Sequence, residues 1–289
     1  MGNTHESLKG MQDKKIENKV VACCSLMSHS FICLGFFSPL LSFKTFFAII
    51  PKKKLNSKIE NGELHAFGDN NQGQFGDGET CDEYCSIPKL VTSEIRVKLV
   101  SGGREHSLIY TQDSRLLACG NNQFFQLGVK TDEQVQKTFV EVTRDQNISQ
   151  ICCQYYGSVI LRRNGDVLVF GRNEKCQLGM DTKGENISQP TLLTNDKQIG
   201  GIHCGRSFTV IEKRNSVFLL VGKLIIEEAW LIEKPKQIEM GEKIKQIACG
   251  SEFILFLKQN GDLWFLIFLF FSVQLDNFLF SFKKGIWAR

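Results

Sequence analysis

The residues best suited to metal chemistry are Cys81 and Cys85, which lie four positions apart in the stretch Cys-Asp-Glu-Tyr-Cys. Two thiolates at this spacing can ligate zinc, but a closed structural zinc site needs four ligands. No second ligand pair follows at zinc-finger spacing, and the nearest histidine, His65, falls in a predicted strand. The stretch therefore predicts an ordinary loop, and we expect neither a metal nor another cofactor.

The residues best suited to acid–base or nucleotide chemistry lack the partners that such chemistry requires. His106 is a candidate general base, but the equivalent positions of the repeat described below hold Gly157, Phe208 and Phe253. A position that accepts phenylalanine is typical of a core or a strand edge. The glycines of residues 73–78 lack the lysine and the following helix of a phosphate-binding loop. No catalytic triad follows from the spacing, so we expect a protein that is not an enzyme.

A repeat of constant length organises the chain. Gly68, Gly120, Gly171 and Gly222 are separated by 52, 51 and 51 residues. Similar sequence surrounds the first three of them, in residues 61–78, 113–128 and 164–179. A fixed period of this size is the signature of an array of small supersecondary units that stack on one another.

Each unit has the pattern of β-strands. An alternating segment, which we interpret as one strand with small residues at its centre, is followed by a turn that is Asn-Gly at Asn164 and at Asn260. A second, shorter strand ends at the periodic glycine, and a polar loop and a connection follow. The connections often carry proline, at Pro88, Pro190 and Pro235. No unit has a sustained helical period, so the sequence predicts an all-β fold of repeated small sheets. The alternating segments are residues 97–110, 150–161, 200–211 and 243–257.

The repeat resembles that of the regulator of chromosome condensation family, whose members form seven-bladed β-propellers. Residues 102–107 (Gly-Gly-Arg-Glu-His-Ser) match the first half of the family repeat. The Cys-Gly pairs that end at Gly205 and Gly250 match it with phenylalanine in place of the histidine. The second half is matched by the periodic glycines and by the loop residues Asn70, Gln74 and Gly76, Asn122, Gln126 and Gly128, and Asn173, Gln177 and Gly179. Phe125 and Cys176 replace the first glycine of the loop tetrad, which Gly73 keeps.

The resemblance implies structural roles for the repeat positions, because glycines allow a positive φ and close backbone approach. Three good units, one degenerate unit and two partial ends predict a partial β-propeller of about four to five blades. The structural repeat residues are Gly68, Gly76, Gly103, His106, Gly120, Gly128, Gly171, Gly179, Gly205, Gly222 and Gly250.

Two apolar stretches interrupt the array. We expect a flexible N-terminal tail over residues 1–19, a propeller domain over 20–264 with an apolar insertion near 33–58, and a divergent apolar tail over 265–289. Residues 20–41 hold no Asp, Glu, Lys or Arg and are a formal candidate for a membrane span. Serines, a proline and lysines on both flanks disfavour that alternative.

The composition bears on partners and compartment. The net charge is +4, from 35 basic and 31 acidic residues, so no concentrated basic patch predicts nucleic-acid binding. Eleven cysteines are scattered along the chain, several of them within apolar strand-like runs, where cysteine behaves as a small hydrophobe. This usage predicts a reducing compartment, the cytoplasm or the nucleus.

The resemblance implies a non-catalytic protein–protein interaction module with a scaffold or regulatory role. The implied protein partner is a small GTPase or a component of the ubiquitin pathway. Two alternatives remain: a guanine-nucleotide exchange factor for a small GTPase, and a membrane-anchored propeller. We expect the partner to contact the blade connections, which we place at residues 79–87, 130–146, 181–196 and 227–239.

Overall fold

The computed structural model of the protein consists of β-strands joined by turns and loops. It describes residues 23–24, 45–51, 62–92, 94–174, 176–182, 184–214, 217–223, 231–239, 243–251, 253–267 and 279–282. Across these ranges, every regular element is a strand. They contain no helix with the length and apolarity needed to cross a bilayer.

Within the described residues, twenty strands form five antiparallel sheets of four, and in each sheet the spatial order of the strands follows the chain. The first sheet contains β1 (Cys23–Cys24), β2 (Thr45–Pro51), β3 (Gly62–Asn70) and β4 (Cys81–Thr92). The second contains β5 (Val97–Gly102), β6 (His106–Thr111), β7 (Arg115–Asn121) and β8 (Val135–Arg144). The third contains β9 (Ile148–Cys153), β10 (Gly157–Arg162), β11 (Asp166–Gly171) and β12 (Ile187–Asn195). The fourth contains β13 (Ile199–Cys204), β14 (Phe208–Lys213), β15 (Val217–Lys223) and β16 (Leu231–Glu239). The fifth contains β17 (Ile244–Cys249), β18 (Phe253–Lys258), β19 (Leu263–Ile267) and β20 (Leu279–Phe282).

The segments predicted as single alternating strands are strand pairs, so that prediction is wrong. Residues 97–110 fold into β5 and β6, and a tight turn between them is closed by a 2.8 Å hydrogen bond from the Gly103 amide to the His106 carbonyl. The same division separates β9 from β10, β13 from β14, and β17 from β18. A backbone hydrogen bond closes each of these turns in the same way, from the amide of Gly103, Gln154, Gly205 or Gly250 to the carbonyl three residues later.

The segments predicted as blade connections form, for the most part, the outermost strands β4, β8, β12 and β16. Each of these strands pairs with only one neighbour in its sheet. Three of them contain a proline, namely Pro88, Pro190 and Pro235. Proline is tolerated there because an edge strand needs hydrogen bonds on one side only. The proline signal therefore marked edge strands rather than loops.

The chain forms two compact units, and the first contains β1 to β8. Its core consists of side chains from β3 and from the second sheet, with Phe75 from the loop after β3: Leu64, Ala66, Phe75, Val97, Val100, Ile109 and Leu117. Phe75 is fully buried. Burial of one such ring contributes about 1.5 to 3 kcal/mol.

The second unit contains Phe124–Lys130 and the strands β9 to β20. One of its core clusters fills the space between the fourth and fifth sheets: Phe208, Val210, Phe218, Leu220, Ile247, Ile254 and Phe256. Its central aromatic pair, Phe218 and Phe256, has ring centroids 5.4 Å apart. Both rings pack in the tilted arrangement that aromatic pairs prefer.

Some of the expected domain boundaries meet described strands. β2 lies within the segment predicted as an insertion and pairs with β3 along its whole length. β19 and β20 extend the fifth sheet into the segment predicted as a divergent tail. Residues 1–19, predicted as a flexible tail, lie outside the described residues. The division into domains stays a prediction.

Candidate functional site

The asparagines of the repeat loops hold those loops closed. The buried Asn70 side chain accepts a hydrogen bond from the Phe75 amide at 2.9 Å and donates one to the Glu79 carbonyl at 3.1 Å. Asn173 repeats the arrangement, accepting from the Leu178 amide at 2.9 Å and donating to the Met180 carbonyl at 2.7 Å. These side chains satisfy backbone groups that a tight loop leaves unpaired.

The glutamines of the same loops lie where one sheet meets the next. In the first unit the Ser107 hydroxyl donates to the Gln74 carbonyl at 2.7 Å. In the second unit the Ser158 hydroxyl donates to the Gln126 carbonyl at 2.8 Å. All four residues are buried. The loops therefore connect consecutive sheets, and these loop carbonyls are already used by hydrogen bonds within the fold.

Three of the periodic glycines, Gly120, Gly171 and Gly222, lie directly across the sheet from the residue that follows the turn between the first two strands of that sheet, which we call the inner turn. Gly120 pairs with His106 and has a φ of +102°, in the region that favours glycine. A Cβ at this position would overlap the Glu105 carbonyl oxygen and lie 2.8 Å from the His106 Cα. That carbonyl accepts a 2.8 Å hydrogen bond from the Asn121 amide, so it cannot move away freely. A Cβ on Gly171 or Gly222 would likewise collide with backbone atoms of the turn before β10 or β14.

The other predicted repeat residues have two kinds of environment. Gly68, Gly76, Gly128 and Gly179 have φ values of +111°, +77°, +72° and +76°. Gly103, Gly205 and Gly250 follow the inner strands, and each donates its amide to the carbonyl three residues ahead. A Cβ at Gly205 or Gly250 would collide with the ring of Phe208 or Phe253. None of these positions holds a reactive side chain.

The residues singled out for chemistry lie on strands β3, β4 and β6. His106 is fully buried on β6, and His65 lies on β3. Cys81 and Cys85 lie on the edge strand β4 rather than in a loop, so the loop prediction for that stretch is wrong. Burial, together with the hydrogen bond that the Cys85 thiol donates to Cys81, raises the pKa of the Cys85 thiol. Among the described residues, no three His, Cys, Asp or Glu side chains form a group that could hold a metal ion.

Half-buried aromatic and arginine side chains of the second unit meet around the turn between β9 and β10. Tyr155 and Tyr156 form the turn between β9 and β10, and their rings touch edge to face with centroids 4.6 Å apart. The Tyr156 ring packs on Phe124 at 5.0 Å. Arg206, in the turn between β13 and β14, lies over the Tyr155 ring at 4.8 Å. Arg172, just after β11, lies 4.6 Å from the Phe124 ring centroid and 5.7 Å from that of Tyr156. We call these five residues the arginine–aromatic cluster.

Backbone hydrogen bonds fix the turns that carry the cluster. The Tyr155 amide donates to the Arg206 carbonyl at 3.0 Å, and the Arg172 amide donates to the Tyr156 carbonyl at 2.9 Å. The Arg172 guanidinium also binds the Glu174 carboxylate at 2.9 Å, and its side chain keeps 34% of its surface exposed. The guanidinium groups and rings are therefore held in place before any partner arrives, while part of their surface remains open.

The fold does not require these side chains. The two turn positions filled by Tyr155 and Tyr156 hold Arg104 and Glu105 in the second sheet, where the pair forms an ion pair at 3.0 Å. The position of Arg172 holds Asn121 there, and its amide reaches the Glu105 carboxylate at 3.3 Å. The second sheet thus builds the same turn with polar groups that satisfy one another. The cluster is a property of this part of the chain and not of the repeat.

Sequence reasoning missed the cluster, although a signal was present. The two positions between the Cys-Gly and the His of the repeat vary freely, as Arg-Glu, Tyr-Tyr and Arg-Ser. Aromatic and cationic side chains at these turns are the signal that points to the cluster, because binding residues are found disproportionately on loops and turns. The predicted contact segments lie on the connections instead.

Four-stranded antiparallel sheets arranged in sequence order, with glycine-containing loops that join consecutive sheets, define the blades of a β-propeller. The description "Regulator of chromosome condensation (RCC1) repeat" belongs to two family models that match this chain, one at residues 61–110 and 164–211 and the other at residues 97–126. Across these residues the chain carries RCC1 repeats. The predicted family and the predicted all-β propeller fold are both confirmed.

Two relatives with much longer chains match most of this sequence. The human X-linked retinitis pigmentosa GTPase regulator is 29% identical over 236 residues, which are 76% of this chain and 22% of the relative. The human probable E3 ubiquitin-protein ligase HERC6 is 25% identical over 225 residues, 71% of this chain and 22% of the relative. The chain thus spans about a fifth of the length of these two proteins.

A solved structure shares the fold. The crystal structure of Prp20p from Saccharomyces cerevisiae, described together with its binding to Gsp1p and histones, superposes with a TM-score of 0.64. The identity is 16%, and the match covers 90% of this chain and 60% of Prp20p. At this identity the likeness extends to the fold alone.

Proposed function

We propose that this protein is a non-catalytic protein-interaction module that binds a partner protein through the arginine–aromatic cluster. The observation that carries the proposal is that Tyr155, Tyr156 and Arg172 occupy positions where the second sheet uses ordinary polar residues. Side chains that the fold does not need, held rigidly and half exposed, are most simply explained by a partner that contacts them.

The chemistry of the cluster suits a protein partner. Tyrosine and arginine are enriched among the residues that dominate the energy of protein–protein interfaces. The rings and guanidinium groups already pack on one another, so binding immobilises few additional rotatable bonds. The described residues of this surface bring together no set of nucleophile, base and orienting group, and a binding role needs none.

A photo-crosslinking experiment tests the proposal. A benzoyl-phenylalanine at Ser207, in the turn that carries Arg206, will capture the bound protein in cell extract, and mass spectrometry will identify it. With the purified partner, we expect Tyr156→Ala and Arg172→Ala each to weaken binding by about 1 to 3 kcal/mol. Arg144→Ala is the matched control, because that arginine is 64% exposed and lies on β8. Equal affinity of all three variants would refute the proposal.

A small GTPase is the first partner class to test. Two proteins similar to this chain point to it: one is named a GTPase regulator, and the other was described with its binding to Gsp1p. A more specific hypothesis is that the protein is a guanine-nucleotide exchange factor for such a GTPase. Purified protein added to GTPases loaded with fluorescent nucleotide tests that form, and no acceleration of nucleotide release at saturating protein would exclude it.

A component of the ubiquitin pathway is the second partner class. It is suggested by the similarity to HERC6, which is named a probable E3 ubiquitin-protein ligase. In that case the crosslinked protein would be a substrate or a conjugating factor rather than a GTPase. The same capture experiment separates the two classes, because it makes no assumption about the identity of the partner.

We also propose that the protein works in the cytoplasm or the nucleus. Eight of the cysteines in the described residues are free thiols, and burial raises the pKa values of the Cys204 and Cys249 thiols well above their usual range. Cell fractionation tests the proposal, and glycans on Asn147 or Asn186 would contradict it. Carbonate-resistant membrane association would instead favour the membrane-anchored alternative, whose candidate segment at residues 20–41 falls largely outside the described residues.

A further inference from the structure

The outermost strands bulge away from their sheets at one repeated place. In the first sheet Gly68 pairs with Cys85 and Ala66 with Lys89, so β4 uses twice as many residues as β3 over this distance. In the second sheet Gly120 pairs with Gln136 and Ala118 with Val140, which gives β8 the same excess. We call the extra residues the outer bulge. It comprises residues 86–88 in β4, 137–139 in β8 and, by the same pairing, 188–190 in β12.

The outer bulge of β8 is a docking site for a glycine-rich loop. The Gly78 amide donates to the Lys137 carbonyl at 2.9 Å, and Asp77 forms an isolated β-bridge with Thr138. Gly73 and Gly76 press directly against the bulge. A Cβ on Gly73 would lie 2.8 Å from the Lys137 Cα, and one on Gly76 would lie 2.5 Å from the Phe139 ring. The bound loop therefore needs glycine at two positions and an amide that reaches the bulge carbonyl.

The outer bulge of β4 is open and apolar. Its central residue, Ile87, is 71% exposed, whereas the equivalent residues of β8 and β12 are the polar Thr138 and Gln189. Tyr84 and Leu90 flank it and are 46% and 44% exposed. These three make up most of the large exposed hydrophobic side chains among the described residues. Since the other sheets build this position with polar residues, the fold itself does not demand an isoleucine there.

No loop of the described chain donates a backbone hydrogen bond to residues 86–88 of β4 or to residues 188–190 of β12, in contrast to residues 137–139 of β8, and of the first two only β4 carries an exposed isoleucine at the centre of its bulge. Exposed apolar side chains grouped on one strand mark a surface that another molecule covers. The chain itself shows what fits on this kind of surface, because the loop on β8 is bound to the same bulge geometry. The occupant can therefore be specified from its chemistry.

We propose that the outer bulge of β4 binds a glycine-rich turn of the form Gly-Gln-Phe-Gly or Gly-Gln-Leu-Gly, supplied by a separate polypeptide that carries the same repeat. The two glycines allow the turn to approach the bulge backbone, and an amide two residues after the second glycine donates to the Ser86 carbonyl. Ile87 then packs against the turn in the place that Thr138 occupies on β8. This surface lies in the first unit, and the arginine–aromatic cluster lies in the second, so the two proposals stand independently.

A synthetic peptide with the sequence of residues 68–79 tests the proposal on the full-length protein. We expect the peptide to slow amide hydrogen exchange in residues 84–90, with no other segment protected. Binding measured by fluorescence anisotropy should weaken at least about tenfold, which corresponds to about 1.4 kcal/mol, in Ile87→Asp. Leu192→Asp is the matched control, because Leu192 is 46% exposed on β12 and should leave binding unchanged.

A second peptide, with alanine in place of Gly73 and Gly76, separates a specific fit from general apolar adhesion. The proposal expects no measurable binding of this peptide. Equal binding of both peptides, protection outside residues 84–90, or no binding of the native peptide would overturn it. A lysine-rich peptide that binds as well would also overturn it, because attraction to the exposed Asp82 and Glu83 would then suffice. Dimerisation in sedimentation velocity that the native peptide suppresses would support the proposal, with a second copy as the source of the turn.

Discussion

Replacement of Gly120 by alanine should destabilise the protein far more than the same replacement at Gly78. Both glycines have a positive φ, +102° and +88°, and an L residue in that region costs about 1 to 2 kcal/mol. Their surroundings differ. A Cβ at Gly120 would overlap the Glu105 carbonyl and lie 2.8 Å from the His106 Cα, whereas the nearest atom to a Cβ at Gly78 is the Thr138 methyl at 3.7 Å.

The magnitude follows from that difference. Forcing a methyl group into a packed site costs about 1 to 3 kcal/mol. Displacing the Glu105 carbonyl also weakens the hydrogen bond from the Asn121 amide, worth about 0.5 to 1.5 kcal/mol. We therefore expect a loss of about 3 to 5 kcal/mol for Gly120→Ala, from the backbone, packing and hydrogen-bond costs together. For Gly78→Ala we expect about 1 to 2 kcal/mol, from the backbone alone.

Urea unfolding followed by circular dichroism measures both variants under one set of conditions. The difference between them isolates the close approach across the sheet, because the backbone cost is common to both. A loss at Gly120 no larger than that at Gly78 would refute the view that the periodic glycine is required by the carbonyl of the inner turn. It would leave only the positive φ as an explanation.

Three further predictions concern the turns and loops. Ser114→Gly should stabilise the protein by about 0.5 to 1 kcal/mol in urea unfolding, because Ser114 has a φ of 68° and glycine removes that strain at a smaller cost in chain entropy. Ser158→Ala should cost about 1 to 3 kcal/mol, because it leaves the buried Gln126 carbonyl without its hydroxyl donor, and Ser158→Thr serves as the control for the hydroxyl. Asn173→Ala should cost about 2 to 4 kcal/mol and lower the melting temperature, because the Leu178 amide loses its acceptor, and an unchanged melting temperature would contradict the role of the loop asparagine.

The sequence alone determined the class of fold, because the information for it is local. The constant spacing of Gly68, Gly120, Gly171 and Gly222, with Asn-Gly turns between apolar runs, indicates repeated small sheets. Gly120, Gly171 and Gly222 each lie opposite a residue of the same sheet that is about 14 positions earlier in the chain, and glycine is required there because backbone atoms approach closely. Such short-range requirements recur in every unit, so the pattern survives even where a single unit degenerates.

The sequence did not determine the number and limits of the strands within each unit. Residues 97–110 alternate as one strand would, and only the pairing of β5 with β6 shows that the chain reverses there. The outermost strands are equally difficult to predict from the sequence. Their bulges disturb the alternation, and their prolines suggest loops, although an edge strand needs only one hydrogen-bonded neighbour.

The tertiary structure alone decided the candidate site. Tyr155 and Tyr156 are adjacent in sequence, but Phe124, Arg172 and Arg206 come from separate loops and turns. They meet because the hydrogen bond from the Tyr155 amide to the Arg206 carbonyl places the turns of consecutive sheets beside one another. The periodicity of a sequence predicts which positions lie on a turn. Which turns touch, and so which side chains can act together, depends on the packing of one sheet against the next.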